Sequence, residues 1–301
     1  MLTFDCVVIG SGAAGMTAAM YLKRANINVA IIEKSAPGGK LNNIFNIENY
    51  PGFPTIEGSI LSQNMYKQII ENGVTYRYGN VLEIKDLGDY KIIQTDLEKI
   101  KSKSVIIASG RVPRKLGLEN EEQLIGQGVG FCALCDGSFY KDKIVAVVGG
   151  GNSAIEDAIY LSSICQKVII IHRRDYFTAE ETTQKKLKHL KNIEIKYNST
   201  VSKLIPTNNK LSAIKVKIKK VEELIEIDGL FVNIGYIPDT NYLISLGIEL
   251  DNDYIIVDEH MRTNIDKVYA CGDVIKKEIY QITTAVADGT IAANSVQKDI
   301  S

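Results

Sequence analysis

The chain lacks what several broad classes of protein require. No apolar run among its 301 residues reaches membrane-spanning length, because Gly, Lys or Asp interrupts each one. Net charge is nearly absent: 35 Lys and Arg stand against 36 Asp and Glu, a formal balance of -1, which gives no overall attraction to nucleic acid or anionic membrane. The one locally basic stretch, Ile214-Lys215-Val216-Lys217-Ile218-Lys219, alternates with period two, as a half-solvated strand does. Five cysteines are too few, and odd in number, for the disulfide framework of a small secreted scaffold. Cys6, Cys165 and Cys271 stand singly, and His172, His189 and His260 show no ligand spacing, so no metal site is expected. Met1-Leu2-Thr3-Phe4-Asp5 carries no basic segment or cleavage site and enters a strand directly. The expectation is a soluble cytoplasmic chain, 45% hydrophobic and 24% charged, long enough for about two domains.

Against these absences stands Cys132-Ala133-Leu134-Cys135, followed by Asp136. Such a pair can close a small disulfide ring without a partner chain, and the thiolate form of either sulfur attacks other disulfides. Half of a zinc site reads the same way, but the second close pair of ligands is missing. Redox chemistry is the leading reading. Asp136 is then a proton donor for released thiolates, although Asp before Gly137 is also a common turn signal.

The pair lies between two glycine-rich segments of one design. Residues 4–9 form a short apolar strand that ends in Gly10-Ser11-Gly12-Ala13-Ala14-Gly15; a helix pattern follows to Arg24, and a strand at 29–32 leads to Glu33. Strand, glycine turn, helix, strand and an acid about twenty residues on make the full dinucleotide-binding context. The pattern recurs: a strand at 144–148, then Gly149-Gly150-Gly151-Asn152-Ser153-Ala154, a helix to about Ser163, and a strand at 168–171. That strand ends in His172-Arg173-Arg174 instead of an acid. A carboxylate suits a free ribose diol, whereas guanidinium groups suit a 2′-phosphate through forked, charge-assisted bonds. FAD and NADPH fit that pair of sites. His172 either touches adenine or phosphate, or simply ends its strand.

Each unit also closes alike, since Ser109-Gly110-Arg111-Val112-Pro113 parallels Ile234-Gly235-Tyr236-Ile237-Pro238 after an apolar strand. The strand-rich stretches 74–100 and 193–227 are expected to form a second β-layer in each unit. A further strand at 267–271 ends in Gly272-Asp273 and precedes a helix pattern from Thr283 to about Val296. In flavoproteins with two dinucleotide sites an Asp at such a strand end binds the flavin ribityl chain. The second unit already has its closing strand, so this segment belongs to the first. The expected fold class is therefore α/β, with two Rossmann-like, three-layer ββα dinucleotide-binding domains. Residues 1–113 and 240–301 form the FAD domain, with 114–239 inserted as the NADPH domain that carries the cysteine pair.

With these residues placed, the chain resembles the low-molecular-weight thioredoxin reductases over essentially its whole length. The matching stations are Gly10 to Gly15, Pro37-Gly38-Gly39, Glu48-Asn49-Tyr50-Pro51-Gly52-Phe53, Cys132 to Gly137, Gly149 to Ala154, His172-Arg173-Arg174-Asp175, and Gly272-Asp273. The resemblance implies a homodimeric FAD enzyme that takes hydride from NADPH and reduces thioredoxin's disulfide, with a domain rotation presenting either the cysteine pair or the nicotinamide to the flavin. It implies that Cys135 faces the flavin and Cys132 attacks thioredoxin. It adds Lys34, Gly39, Lys40, Leu41, Asn49, Gly110, Tyr280, Gln281 and Ile282 to the residues of the FAD site.

Four positions depart from the family pattern: Lys40 for Gln, Leu134 for a smaller or hydroxylated residue, Thr178 for a third arginine on the 2′-phosphate, and Tyr280 for Arg beside the flavin. The last two bear on the electron donor, because a related branch takes electrons from reduced ferredoxin and has lost pyridine-nucleotide binding. Retained Gly149, Gly151, Ala154, Arg173 and Arg174 outweigh those losses, and NADPH is the expected donor. A dithiol-free flavin reductase is disfavoured by Cys132 and Cys135, and a non-catalytic nucleotide sensor by the intact motifs.

Overall fold

The computed structural model describes residues 1–187, 189–219 and 221–300. The chain divides into two compact units, one built from Met1–Val112 with Ile237–Ser301, the other from Pro113–Tyr236. The second unit is thus inserted into the first. In chain order the first unit contributes β1 (Leu2–Ile9), α1 (Ala13–Arg24), β2 (Val29–Glu33), α2 (Gly58–Glu71), β3 (Thr75–Tyr78), β4 (Val81–Asp86), β5 (Lys91–Thr95) and β6 (Lys99–Ile107). The chain leaves through β7 (Arg111–Pro113). It then forms α3 (Glu121–Leu124), β8 (Val129–Gly130), α4 (Ala133–Asp136), β9 (Ile144–Gly149), α5 (Asn152–Ser162), β10 (Lys167–Ile171), α6 (Glu181–Leu187) and β11 (Ile193–Lys196). A meander of β12 (Ser199–Thr207), β13 (Lys210–Ile218) and β14 (Val221–Glu226) precedes β15 (Gly229–Asn233). The return is β16 (Tyr236–Pro238), followed by β17 (Leu250–Asp251), β18 (Tyr254–Ile255), β19 (Val268–Ala270) and α7 (Ile282–Ile300).

Both units are organised by a parallel sheet. In the first, β3-β2-β1-β6 are parallel neighbours, and β19 lies parallel against the end of β6. In the second the parallel order is β11-β10-β9-β15-β8. The central strands are mostly apolar where both faces are covered: all five residues of β2, Val29 to Glu33, are buried. Alternation along β1 sends Cys6 and Val8 to a core with Met16, Leu22, Leu61 and Ile106, and Val7 and Ile9 to the opposite core with Ile84, Ile93 and Ile255. Burial of each such side chain stabilises the fold by about 1.5–3 kcal/mol.

β6 reads two ways along its length. Lys99, Lys101 and Lys103 alternate with buried Ile100, Ser102 and Ser104, and this half pairs antiparallel with β5. Residues 104–107 are continuously buried, and Val105 to Ile107 pair with β19. The change from alternation to an unbroken apolar run marks where antiparallel β5 gives way to parallel β19 on the edge of β6 away from β1.

The expected second layers begin later than the sequence pattern placed them. β3, at the start of 74–100, and β11, at the start of 193–227, edge the parallel sheets instead. Each follows a helix and completes a crossover that returns the chain parallel to the preceding strand. α7 also extends past Val296 to Ile300. It lies close on α1, where a Cβ at Gly289 would fall 2.3 Å from the Ala14 carbonyl oxygen. The chain re-enters the first unit at Ile237 rather than residue 240. Asp239 accounts for this: its carboxylate pairs with Lys34 at 2.8 Å and its carbonyl accepts the Ser109 hydroxyl.

Candidate active site and nucleotide sites

β8 delivers the chain to Cys132, which starts α4. Cys132 and Cys135 are joined in a disulfide, with Cα atoms 5.4 Å apart. The Asp136 N–H donates to the Cys132 carbonyl at 3.1 Å and the Cys135 N–H to Cys132 Sγ at 3.1 Å, closing a tight turn around the ring. Cys132 is half-buried and Cys135 exposed. Asp136 is half-buried against Gly130, where an added Cβ would lie 3.1 Å from Oδ2. Burial pushes its carboxyl above the usual carboxylate range, so the protonated acid persists to higher pH. The Tyr140 hydroxyl is pushed up by burial and by the charge of Asp136, and its ring meets Phe231 edge-on at 5.5 Å.

The other cysteines are packed away. Cys6, Cys165 and Cys271 are free and buried. Burial pushes the Cys6 thiol up to about 12 and that of Cys165 up to about 11, with Cys271 raised further, so none is a thiolate near neutrality.

The first glycine loop divides its labour among three glycines. Gly10 has φ +99, and a Cβ there would strike the Ala108 carbonyl oxygen at 2.4 Å. A Cβ at Gly15 would fall 2.0 Å from the Gly10 carbonyl oxygen, so this position sets the approach of α1 to the turn. Gly12 meets nothing within 4 Å, which leaves open room at the start of α1 beside Ala13 and Ala14. Helix-start amides lack intrahelical partners, and open space over them suits a pyrophosphate. Glu33, buried at the end of β2, takes four donors: the Ser11 N–H and hydroxyl at 2.8 and 3.0 Å, and the Ser35 N–H and hydroxyl, both at 3.0 Å. The two hydroxyls are rotors, so they can yield their positions to a ribose diol.

The residues read as the far side of the same site also converge. Asn49 donates to Gln281 at 3.2 Å, and Leu41 is buried beneath the turn that carries Gly39 and Lys40. Gly110 has φ +66 with open space at its missing Cβ. The Gly272 N–H donates to Asp288 at 3.2 Å, which fixes the turn holding Asp273. Asp273 Oδ2 accepts Arg111 Nε and Nη2 at 3.2 and 2.8 Å, with Lys40 Nζ 3.6 Å away. The Arg111 guanidinium also lies 4.1 Å over the Tyr280 ring. Burial lowers the Lys40 pKa, and Asp273 opposes that shift. Lys34 points to Asp239, and Ile282 opens α7.

In the second loop Gly149 has φ +150, and its Cβ would meet the Asn233 carbonyl oxygen at 2.3 Å, whereas Gly151 meets only Thr178 Oγ1 at 3.9 Å. Ala154 is buried and Ser153 exposed on the first turn of α5. Asn152 Oδ1 accepts the Glu180 N–H at 2.8 Å. Arg173 and Arg174 are exposed just past β10. Thr178 sits on the loop itself, its N–H and hydroxyl both donating to the Gly150 carbonyl at 2.8 and 3.2 Å. His172 is buried beneath Gly150, where an added Cβ would collide with the ring at 2.3 Å, and its Nε2 bonds the Tyr176 carbonyl at 2.9 Å. Burial lowers its pKa. This packing favours the strand-ending reading of His172.

Sequence reasoning missed Arg111, whose interactions join Asp273 and Tyr280 although it belongs to neither motif. It also missed Asp157 on α5, which accepts Asn233 Nδ2 at 2.7 Å. The signal for Asp157 was a carboxylate on the inner face of a helix whose neighbours Ala154, Ile155, Ala158 and Leu161 are buried.

Known proteins share this arrangement. The family model described as pyridine nucleotide-disulphide oxidoreductase matches residues 4–289. A thioredoxin reductase from Listeria innocua is 39% identical over 297 residues, covering 98% of this chain and 93% of that one. One from Mycoplasma genitalium is 43% identical over 301 residues, covering 99% and 95%. The crystal structure of Lactococcus lactis thioredoxin reductase matches with a TM-score of 0.90 at 41% identity, covering 99% of each chain. A chain matched over nearly its whole length at this identity belongs to the pyridine nucleotide-disulphide oxidoreductases and, within them, to the low-molecular-weight thioredoxin reductases.

Proposed function

We propose that this protein is a thioredoxin-disulfide reductase that moves two electrons from NADPH through FAD to the Cys132–Cys135 disulfide and then to thioredoxin. The observation that carries this reading is the disulfide itself, formed in the same unit as the second glycine loop. Gly10, Gly12, Ala13, Ala14, Gly15 and Glu33 would hold the adenosine and pyrophosphate of FAD, with Asp273, Lys40 and Gly110 toward its ribityl chain. Asp273 suits a ribityl hydroxyl because both Arg111 bonds fall on Oδ2. Gly149, Gly151, Asn152, Ser153, Ala154, Arg173 and Arg174 would hold NADPH. FAD, when bound, supplies the two-electron relay between nicotinamide and disulfide.

The chain's own chemistry is dithiol exchange. Once the pair is reduced, Cys132 as thiolate attacks one sulfur of the thioredoxin disulfide; a bond forms from Cys132 Sγ to that sulfur and the thioredoxin S–S bond breaks. The departing sulfur needs a proton, and Asp136, adjacent and with its pKa raised by burial, is the acid placed to supply it. Cys135 then attacks Cys132 Sγ, which restores the intramolecular disulfide and releases the second thioredoxin sulfur. Thioredoxin gains two electrons and the pair returns to its oxidised form.

The protein acts as a homodimer in the cytoplasm, where the buried free thiols stay reduced. Among the described residues no helix is long and apolar enough to cross a membrane. The deciding experiment is anaerobic titration of the FAD-loaded protein with NADPH in the presence of oxidised thioredoxin. One thioredoxin dithiol should appear per NADPH consumed. A correctly folded, FAD-loaded protein that yields no thioredoxin thiols with any donor would overturn the reading.

A further inference from the structure

Dithiol exchange as described uses Cys132, Cys135 and Asp136, yet a second carboxylate stands behind the pair. Asp157, on α5, is half-buried and accepts Asn233 Nδ2 at 2.7 Å, and the backbone N–H of Ala133 faces it and favours its charged form. Ala133 is fully buried and directly follows Cys132, so the carboxylate lies one peptide unit from the sulfur-bearing residue. Asn233 ends β15 and also approaches the second glycine loop, where its carbonyl oxygen faces Gly149. Neither the glycine loop nor the exchange steps require an acid at this place.

We propose that Asp157 is a positioning residue that fixes the turn carrying Cys132 and, through its charge, sets the readiness of Cys132 to ionise. The inference rests on reading Cys132 and Cys135 as the redox pair. In the reduced protein a carboxylate this close disfavours a thiolate, so ionised Asp157 raises the pH at which Cys132 becomes nucleophilic. Burial pushes the Asp157 carboxyl up to about 6, while Asn233 and the Ala133 N–H hold it down. It is therefore charged at neutral pH and neutral in mild acid. The charged groups on elements packed against it are Glu156 on α5, Asp136 on α4, Lys167 on β10, and Glu181, Lys185 and Lys186 on α6. Of these, Glu156 acts on it, pushing in the same direction as burial.

The test uses FAD-loaded protein reduced with a phosphine, freed of reductant and alkylated with iodoacetamide at a series of pH values, with the label on Cys132 quantified by peptide mapping. Asp157→Asn should lower the midpoint of the Cys132 profile by about one pH unit, which is roughly tenfold faster labelling on its acid side. Asp157→Asn combined with Asn233→Asp restores the bond with its roles reversed and moves the charge away from Ala133, so its midpoint should fall between the two. Profiles that superimpose on the wild type overturn the inference. Should Asp157→Asn fail to fold, Asn233→Ala provides the reading: loss of that donor should move the lower inflection of the profile upward, and an unchanged profile overturns the inference equally. Thioredoxin reduction surviving in Cys132→Ser would instead sink the redox-pair reading, which these profiles do not test.

Discussion

At the scale of single residues, reactivity is set by burial. Three of the five cysteines are shielded and held as thiols, which leaves the Cys132–Cys135 pair to carry the chemistry. Cys132→Ser and Cys135→Ser should each abolish thioredoxin reduction while leaving FAD bound and reducible by NADPH. The two should differ in absorbance: if Cys135 is the sulfur that meets the flavin, Cys132→Ser should show a long-wavelength charge-transfer band that Cys135→Ser lacks. Full activity in either variant would move the disulfide elsewhere, and the buried Cys271 is a poor substitute. Asp136→Asn should slow turnover with thioredoxin by roughly 100-fold, the usual scale for losing a general acid. The pH dependence follows from the direction of its shift. A carboxyl raised by burial stays protonated above the ordinary range, so its contribution as a donor is present at low pH and lost as pH rises through the raised value. Asp136→Asn should remove that limb from the pH–rate profile, and a profile unchanged in shape would rule out the donor role.

At the scale of elements, each strand–glycine–helix unit separates folding from binding. Gly10 and Gly15 are required by close backbone approach, whereas Gly12 faces open space. Gly15→Ala should therefore cost stability, seen as a lower thermal midpoint even without flavin. Gly12→Ala should fold normally and weaken FAD binding, measured by flavin retention on gel filtration. The same contrast should hold for Gly149→Ala and Gly151→Ala with NADPH. Thr178, bonded to the loop carbonyl of Gly150 and 3.9 Å from the missing Gly151 Cβ, occupies a place from which a longer cation could reach a phosphate on that loop. Thr178→Arg should tighten NADPH binding without tightening NADH, with a charge-assisted phosphate contact contributing about 1.5–3 kcal/mol. Equal gains for both nucleotides would show that the new guanidinium does not reach a 2′-phosphate.

At the scale of the whole molecule, the question is which donor feeds the flavin. Arg173 and Arg174 follow β10 where the first unit has Glu33, so NADPH should be preferred over NADH by at least about tenfold. The purified protein should be yellow, with about one FAD per chain, since a cofactor seated in such a site is normally retained in full. Rapid mixing with NADPH should bleach the flavin. A flavin that stays oxidised with NADPH and NADH alike, yet is reduced by ferredoxin and passes electrons to thioredoxin, would replace the donor and leave the disulfide reductase intact. The cation lost at Tyr280 matters here, because Arg111 places a guanidinium over that ring. Arg111→Ala should change the reduction potential of bound flavin, measured by equilibration with a reference dye; an unchanged potential would confine Arg111 to holding Asp273.

What the sequence determined by itself was everything encoded locally. Apolar strands, the two glycine turns, Glu33 against Arg173 and Arg174, and the spacing of Cys132 and Cys135 are short-range patterns that can be read within their own segments. The α/β fold with two parallel sheets followed from them, because a repeated strand–turn–helix–strand unit has few ways to bury its faces. Tertiary structure decided what depends on residues far apart in the chain. β3 and β11 joined the parallel sheets because a helix returned them there. Arg111 met Asp273 across 162 positions, and Asp157 met Asn233 across 76. No local period encodes such meetings: a buried charge selects whichever donor packing brings within hydrogen-bond reach, and that choice exists only once the core has closed around it.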